Sequence, residues 1–239
     1  MNKRRTVLAG GLSLLWRNLF GQKSDHNAAT GRVSLGYKMA WLAVRTLKTA
    51  DVVSYLKVQE QRSVTWAQGV GAIYDRTELA RATLVFVTPP VKGWTLAAGW
   101  WAMGQGDRHS LENIVTIARD LSSTFGEAQG FASYRVVDYY HWILARNGHV
   151  ERSFGIEDGG DVLANTGSIT EAERKLAFWN EPIGQWRPNE NDVVTVAAGW
   201  SVDPTKLAAD SGPAEFGVIG RVRRTECAVA LFTKLTRGT

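Results

Sequence analysis

The side chains best suited to chemistry lie in or just after one short stretch, residues 131–155, FASYRVVDYYHWILARNGHVERSFG. Asp138 and Glu157 would make a pair of carboxylates, and a raised pKa on one of them is the mark of a general acid. His141 stands between them in the sequence and could act as an acid-base group or a ligand in a dry environment. These three residues predict an envelope hydrolase as one alternative. The commoner interpretation of such residues is a core histidine and two solvated acids.

A hairpin turn decides which of these side chains share a face of a sheet. Asn147 and Gly148 form a strong two-residue turn signal between two alternating runs, because both residues accept a positive φ. The turn places Arg146 opposite His149. The pairs predicted on one face are Ala145 with Val150, Ile143 with Arg152, His141 with Phe154 and Tyr139 with Ile156. Those predicted on the other face are Leu144 with Glu151, Trp142 with Ser153, Tyr140 with Gly155 and Asp138 with Glu157.

Other motifs with known chemistry are absent from the sequence. The four histidines show no HExxH or HxH spacing and the only cysteine is Cys227, so neither a zinc or iron site nor a disulfide framework has support. No GxxxxGKS, GxxxxGKT or GxSxG motif occurs, and the glycines of QGVGAIYD lack the context of a dinucleotide site. We therefore expect no metal and no cofactor.

The positive charge of the chain is concentrated at its ends. The net charge is +5, and residues 1–32 carry six Lys and Arg against one Asp, a local +5 that leaves the other 207 residues neutral. A nucleic-acid-binding protein usually spreads basic residues over a folded face and places aromatics between them. We therefore expect no nucleic-acid partner.

Residues 1–32 predict a basic N-terminal segment and linker. Arg4 and Arg5, which precede Thr6 and two hydrophobic residues, resemble the start of a twin-arginine export signal and are the predicted targeting residues. A second interpretation takes residues 12–20 as an amphipathic helix that contacts a membrane surface, a partner or the domain itself. A disordered tail is the third. The segment favours a location in the periplasm or at the inner-membrane face over the cytoplasm. As a further alternative, the protein would be a structural subunit of a membrane-associated assembly.

Residues 33–239 predict a single α+β domain. Strands or strand-and-loop segments are expected within 33–45, 63–75, 84–99, 131–156 and the tail, with a second hairpin at the TPP-turn-GW segment, 88–94. A short helix is predicted within 48–58. Three longer helices are predicted. The first is at 108–127, starting near Ser110, and the second at 168–179, with either a capping box from Thr170 to Glu173 or Ser168 as its cap. The third runs from about Asn191 to Gly199. This order indicates a mainly antiparallel sheet with about three helices. One arrangement of these strands and helices would be two split β-α-β halves side by side.

Four blocks of the sequence resemble a family of uncharacterised bacterial proteins. The blocks are WLAVRT, VFVTPPVKGWTLAAG, LSSTFGEAQGFASYRVVDYYHW and WSVDPTKL. In that family a Trp-containing strand, a TPP-turn-GW hairpin, an FGE-Q block and a Tyr-x-x-Trp strand follow one another in this order. The resemblance covers about residues 41–207 and implies no activity and no site residues. By type, the chain is similar to the small α+β immunity proteins that neutralise toxins passed between competing bacteria.

The sequence therefore predicts a non-enzymatic binding protein of bacteria, in its most specific form an immunity protein whose partner is a secreted toxin. Exposed aromatic residues with charged neighbours are common contacts of protein interfaces, and the chain has ten tryptophans. The predicted contact residues are Trp100, Trp101, Tyr140, Trp142, Trp179 and Trp186, with Glu151 and Arg152 at the rim.

Overall fold

The computed structural model describes residues 31–35, 37–75, 77–103, 107–209 and 215–223. The predicted targeting residues Arg4 and Arg5, the amphipathic segment 12–20 and Cys227 lie outside these ranges, so the statements about them stay predictions. No helix within the described ranges is long and apolar enough to cross a membrane.

The described residues form one nine-stranded sheet in which all neighbouring strands are antiparallel. Its spatial order is β2-β9-β3-β4-β1-β5-β6-β7-β8. The strands are β1 (Ala40–Val44), β2 (Gln59–Thr65), β3 (Leu84–Val87), β4 (Thr95–Ala98), β5 (Glu127–Tyr134), β6 (Tyr139–Arg146), β7 (His149–Glu157), β8 (Asp161–Thr166) and β9 (Phe216–Arg221). The prediction of an α+β fold with a mainly antiparallel sheet is confirmed.

Five α-helices occur within the described ranges, where about three were predicted. They are α1 (Thr49–Tyr55), α2 (Trp66–Ile73), α3 (Glu78–Thr83), α4 (Arg108–Phe125) and α5 (Glu190–Trp200). Four short 3-10 helices accompany them, Trp100–Ala102, Glu173–Lys175, Ala177–Asn180 and Pro204–Ala209.

The strands do not divide into two split β-α-β halves. Strands β5, β6, β7 and β8 are neighbours in both sequence and space, and no helix lies between them. Tight connections, such as the Asn147-Gly148 turn, return each of these strands directly beside the previous one. The second half of the sheet is therefore a meander, and the arrangement as two similar halves is wrong.

Helix α2 replaces part of the predicted strand-and-loop segment 63–75. Thr65 begins it with a capping box, in which the Thr65 hydroxyl accepts from the Gln68 amide and the Gln68 side chain accepts from the Thr65 amide. A Cβ at Gly69 would lie 2.3 Å from the ring of Phe86, so this glycine allows the helix to approach the sheet closely.

Helix α4 is the longest helix within the described ranges and occurs where the sequence predicted it. Its N-cap is Asp107, whose side chain accepts from the Ser110 amide at 2.8 Å, so the helix starts before the predicted cap. Gly126 ends it at φ 82°. Its apolar side packs on the sheet through Leu111, Ile114, Ala118 and Leu121.

The segment predicted as a helix at 168–179 forms only two short 3-10 turns. The predicted capping box is present, since Thr170 N donates to Glu173 Oε2 at 2.8 Å and Glu173 N donates to the Thr170 hydroxyl at 3.4 Å. The chain then becomes extended at Leu176. By contrast, the predicted third helix is confirmed as α5, which a capping box between Asn189 and Asp192 begins.

Both faces of the sheet are covered. Helices α1 and α4 pack on one face, which we call the α4 face. Helices α2 and α5 and the 3-10 turn that contains Phe178 pack on the other, which we call the α5 face. Along β6 the side chains alternate, so Tyr139 and Ile143 point to the α4 face and Trp142 points to the α5 face.

Candidate functional site

The Asn147-Gly148 turn forms as predicted, but the hairpin contains a β-bulge. The observed pairs are Arg146 with His149, Ala145 with Val150, Leu144 with Arg152, Ile143 with Ser153, Trp142 with Phe154, His141 with Gly155 and Tyr140 with Ile156. Glu151 is the extra residue of the bulge. The predicted pairs beyond Ala145 are therefore wrong by one residue. The shift moves the side chains of Arg152 and Phe154 to the α5 face.

The three residues of the hydrolase alternative lie in different surroundings. Asp138 is exposed in the turn before β6, where its φ is 46°. His141 is fully buried on the α4 face, with Nδ1 2.9 Å from the Tyr139 hydroxyl. Glu157 is half-buried at the end of β7, and the bulge removes its predicted pairing with Asp138. None of the three lines either of the two cavities described below.

Burial fixes the charge state of His141. Desolvation lowers the pKa of its imidazole to about 3, so the side chain is neutral at neutral pH. Its Nε2 makes no hydrogen bond within the described part of the chain. A general base needs a pKa near the working pH and access to its substrate, and His141 instead has the surroundings of a core histidine.

Four of the eight predicted contact residues are buried. Tyr140, Trp142, Trp186 and Arg152 are between 0% and 6% exposed, so the expectation that they face a partner is wrong. They are buried because the segment 168–188 covers the α5 face of β6 and β7, where Phe178 packs against both Trp142 and Trp186. The other four remain accessible, since Trp100, Trp101 and Trp179 are half-buried and Glu151 is exposed.

Arg152 takes part in a buried ion pair with Glu173, and neither side chain is exposed to solvent. Arg152 Nε donates to Glu173 Oε1 at 2.7 Å, and the Trp142 indole donates to the same oxygen at 2.8 Å. The guanidinium also donates to Asn165 Oδ1 and Thr166 O. These bonds tie β6, β7 and β8 to the 3-10 turn of Glu173. Breaking a buried pair leaves an uncompensated charge, so its role here is structural.

A groove lies between helix α4 and strand β8 and is the candidate functional site. Its volume is about 600 Å³. Helix α4 lines it with Arg108, Leu111, Glu112, Val115 and Thr116, and the strands line it with Val150, Ser153, Val162, Leu163, Ala164, Asn165 and Thr166. The walls are therefore mainly apolar at the base, with polar residues at the mouth.

The strand side of this groove is an edge of the sheet. Strand β8 is last in the spatial order, so one side of its backbone has no strand neighbour among the described residues. Arg108 covers part of that edge, because its guanidinium donates to the carbonyl oxygens of Leu163 and Val162. Asn165 and Thr166, at the other end of β8, are exposed.

One buried polar group in the groove has no hydrogen-bond partner in the described part of the molecule. Ser153 lines the groove, is 4% exposed, and its Oγ makes no hydrogen bond there. A buried hydroxyl without a partner costs about 1–3 kcal/mol, and because this oxygen is enclosed beneath the groove wall it is not a contact for a bound segment.

Sequence reasoning did not find this groove. The available signal was on α4, where Arg108, Glu112 and Thr116 repeat at a spacing of four and place a polar stripe beside the apolar face. The position of β8 at the sheet edge was not readable, because it depends on the strand order. Of the predicted contacts, Glu151 and Arg152 are next in sequence to groove residues, Val150 and Ser153.

Known protein families, characterised proteins and solved structures include no match to this chain. The resemblance that the four sequence blocks suggested therefore stays a prediction, and the function must be argued from the molecule itself.

Proposed function

We propose that this protein acts by binding another protein, and that an extended segment of the partner lies in the groove between α4 and β8. The observation that carries the proposal is the edge of β8 beside a helix, which has no strand neighbour within the described part of the chain. Peptide-binding domains of several kinds add a strand to such an edge and place alternate side chains against the neighbouring helix.

Strand addition needs an open strand edge and space for the partner's side chains, and the groove has both. The backbone near Asn165 and Thr166 supplies the open part of the edge, while Arg108 blocks the part at Val162 and Leu163. The apolar base supplies space for the partner's side chains. An extended segment therefore enters along the Asn165–Thr166 end of the strand.

The partner that we propose is a secreted toxin, which would make the protein an immunity protein. Support for this narrower statement comes from the sequence, in which Arg4 and Arg5 predict export and the charge pattern disfavours nucleic acid. An immunity protein acts by occlusion, and occlusion needs a rigid surface. The buried Arg152 and Glu173 pair stiffens the strands behind the groove and suits that requirement.

The test is growth rescue from a toxin of the native strain, with a groove variant and a matched control. Thr116→Arg places a long cation in the groove, whereas Thr124→Arg makes the same change at an exposed position of the same helix outside it. We expect the wild type and Thr124→Arg to restore growth in cells that express the toxin, and Thr116→Arg to fail.

Two results would overturn the proposal. One is equal rescue by Thr116→Arg and the wild type, which would place the contact elsewhere. The other is the absence, among the secreted proteins of the native strain, of any whose toxicity the wild type relieves. Circular dichroism of both variants distinguishes a lost interface from a lost fold.

A further inference from the structure

Helix α4 has a second cavity on its opposite flank, with a volume of about 430 Å³. Five elements meet around it, namely the end of α1, helix α3, the 3-10 turn Trp100–Ala102, the middle of α4 and the residues after β9. The lining residues are Tyr55, Leu56, Lys57, Ala82, Trp101, Ser110, Asn113, Ile114, Ile117, Val222 and Arg223.

The body of this cavity is apolar. Leu56, Ile114 and Ile117 form much of its wall, together with Trp101 and Val222. Ser110, Asn113, Ile114 and Ile117 recur at i, i+3, i+4 and i+7, so one stripe of α4 faces the cavity while an adjacent stripe packs on the sheet. Ligand cavities in proteins commonly span about 300–1,000 Å³ and are lined in this way.

One buried donor in the wall has no partner among the described residues. The Trp101 Nε1 is buried and makes no hydrogen bond. Trp66, Trp142, Trp186 and Trp200, by contrast, each donate their indole N–H to a protein oxygen. The Trp101 nitrogen is enclosed beside Gly99, so the indole contributes its apolar ring to the wall and its N–H does not face the cavity.

The rim of the cavity is positively charged. Lys57 and Arg223 both line it and are exposed, and neither forms an ion pair with another residue of the described ranges. The nearby carboxylate of Asp120 is already paired with Arg119 at 2.9 Å. The charge at the rim therefore favours an anionic group.

We propose that this cavity binds a single-headed anionic amphiphile, a medium-chain aliphatic carboxylate. The alkyl chain lies against Leu56, Ile114 and Ile117, and the carboxylate lies at the rim near Lys57 and Arg223. The site is separate from the α4–β8 groove, so this inference stands or fails independently of the proposed protein partner.

The experiment is isothermal titration calorimetry of the full chain with decanoate, kept below its micelle concentration, and with 1-decanol as the neutral analogue. We expect saturable one-to-one binding of decanoate that weakens as salt is added, and clearly weaker binding of decanol. Lys57→Glu combined with Arg223→Glu should lower the decanoate affinity at least about tenfold and leave decanol unchanged. Lys175→Glu, at an exposed lysine far from the cavity lining, is the matched control and should bind like the wild type.

A further variant tests the body of the cavity. Ala82→Leu fills space beside the ligand chain and should abolish the binding of decanoate. The proposal is overturned if the wild type gives no saturable heat, or if decanol binds as well as decanoate. It is also overturned if the double charge reversal and Lys175→Glu behave alike. The charge variants keep the test valid even where Ala82→Leu fails to fold.

Discussion

Acidification should destabilise this fold through His141. Burial lowers the pKa of the folded imidazole from 6.5 to about 3. Between these two values the unfolded chain binds a proton that the folded chain does not bind, so the free energy of unfolding falls as the pH falls. The contribution of His141 is fully present above pH 6.5 and is lost progressively toward pH 3.

The expected size of the effect follows from the same two pKa values. Proton linkage predicts a loss of about 2 kcal/mol in the free energy of unfolding between about pH 7.5 and pH 5. The assay is urea unfolding at both pH values for the wild type and His141→Gln. Gln has no titrating group and can still bond to the Tyr139 hydroxyl, which now contacts Nδ1 at 2.9 Å.

The informative quantity is the difference between the two pH values, because any constant cost of the substitution cancels. The wild type should lose about 2 kcal/mol more than His141→Gln over this interval. His149→Gln, at the exposed hairpin turn, should behave like the wild type. If the wild type and His141→Gln lose stability equally, His141 titrates in the folded state and its burial has been misjudged.

Three other substitutions have expected outcomes in urea unfolding at neutral pH. Glu173→Ala leaves the Arg152 charge buried and unpaired, so we expect a loss of about 3–5 kcal/mol, and a loss below 1 kcal/mol would contradict the buried pair. Glu151→Ala removes a surface ion pair and should cost at most about 1 kcal/mol. Gly167→Ala should cost about 3 kcal/mol or more, because Gly167 has φ 80° and a Cβ there would lie 1.9 Å from Glu151 O. Wild-type stability of Gly167→Ala would contradict the close approach of Gly167 to Glu151 O.

Local signals in the sequence predicted those features of the fold that depend on nearby residues. Asn147-Gly148 placed the turn, and Gly126 placed the end of α4, because each position needs a positive φ that the residue accepts. The β3–β4 hairpin was also predictable from the TPP-turn-GW segment, where Val91 and Trp94 form a bridge. Each of these features is determined by the conformational preferences of residues within a few positions of it.

Features that depend on distant residues were not predictable. The bulge at Glu151 follows the turn without any glycine or proline to mark it, and it moved Arg152 onto the α5 face. Glu173 formed the capping bonds that the sequence predicted, yet its carboxylate also accepts from Arg152 and Trp142, which are 21 and 31 residues away. Helix α2 was not predicted within the strand-and-loop segment 63–75, and the partner that explains Gly69, the ring of Phe86, lies on another element.

The candidate site depends both on nearby residues and on residues that are distant in the sequence. The polar stripe of α4 is visible in the sequence, whereas the groove exists because β8 ends the sheet beside that stripe. The hydrolase residues Asp138, His141 and Glu157 were grouped by their closeness in sequence. The fold separates them, since Asp138 lies in an exposed turn and His141 in the core.

The most direct test of the central claim is site-specific photo-crosslinking from the groove in the native strain. A photoreactive phenylalanine replaces Thr116 in the groove or, as the control, Thr124 on the same helix. We predict that position 116 crosslinks to the toxin whose growth inhibition the wild type relieves, and that position 124 does not. Crosslinking of that toxin from position 124 alone, or from neither position while rescue persists, would contradict the α4–β8 groove as the binding site.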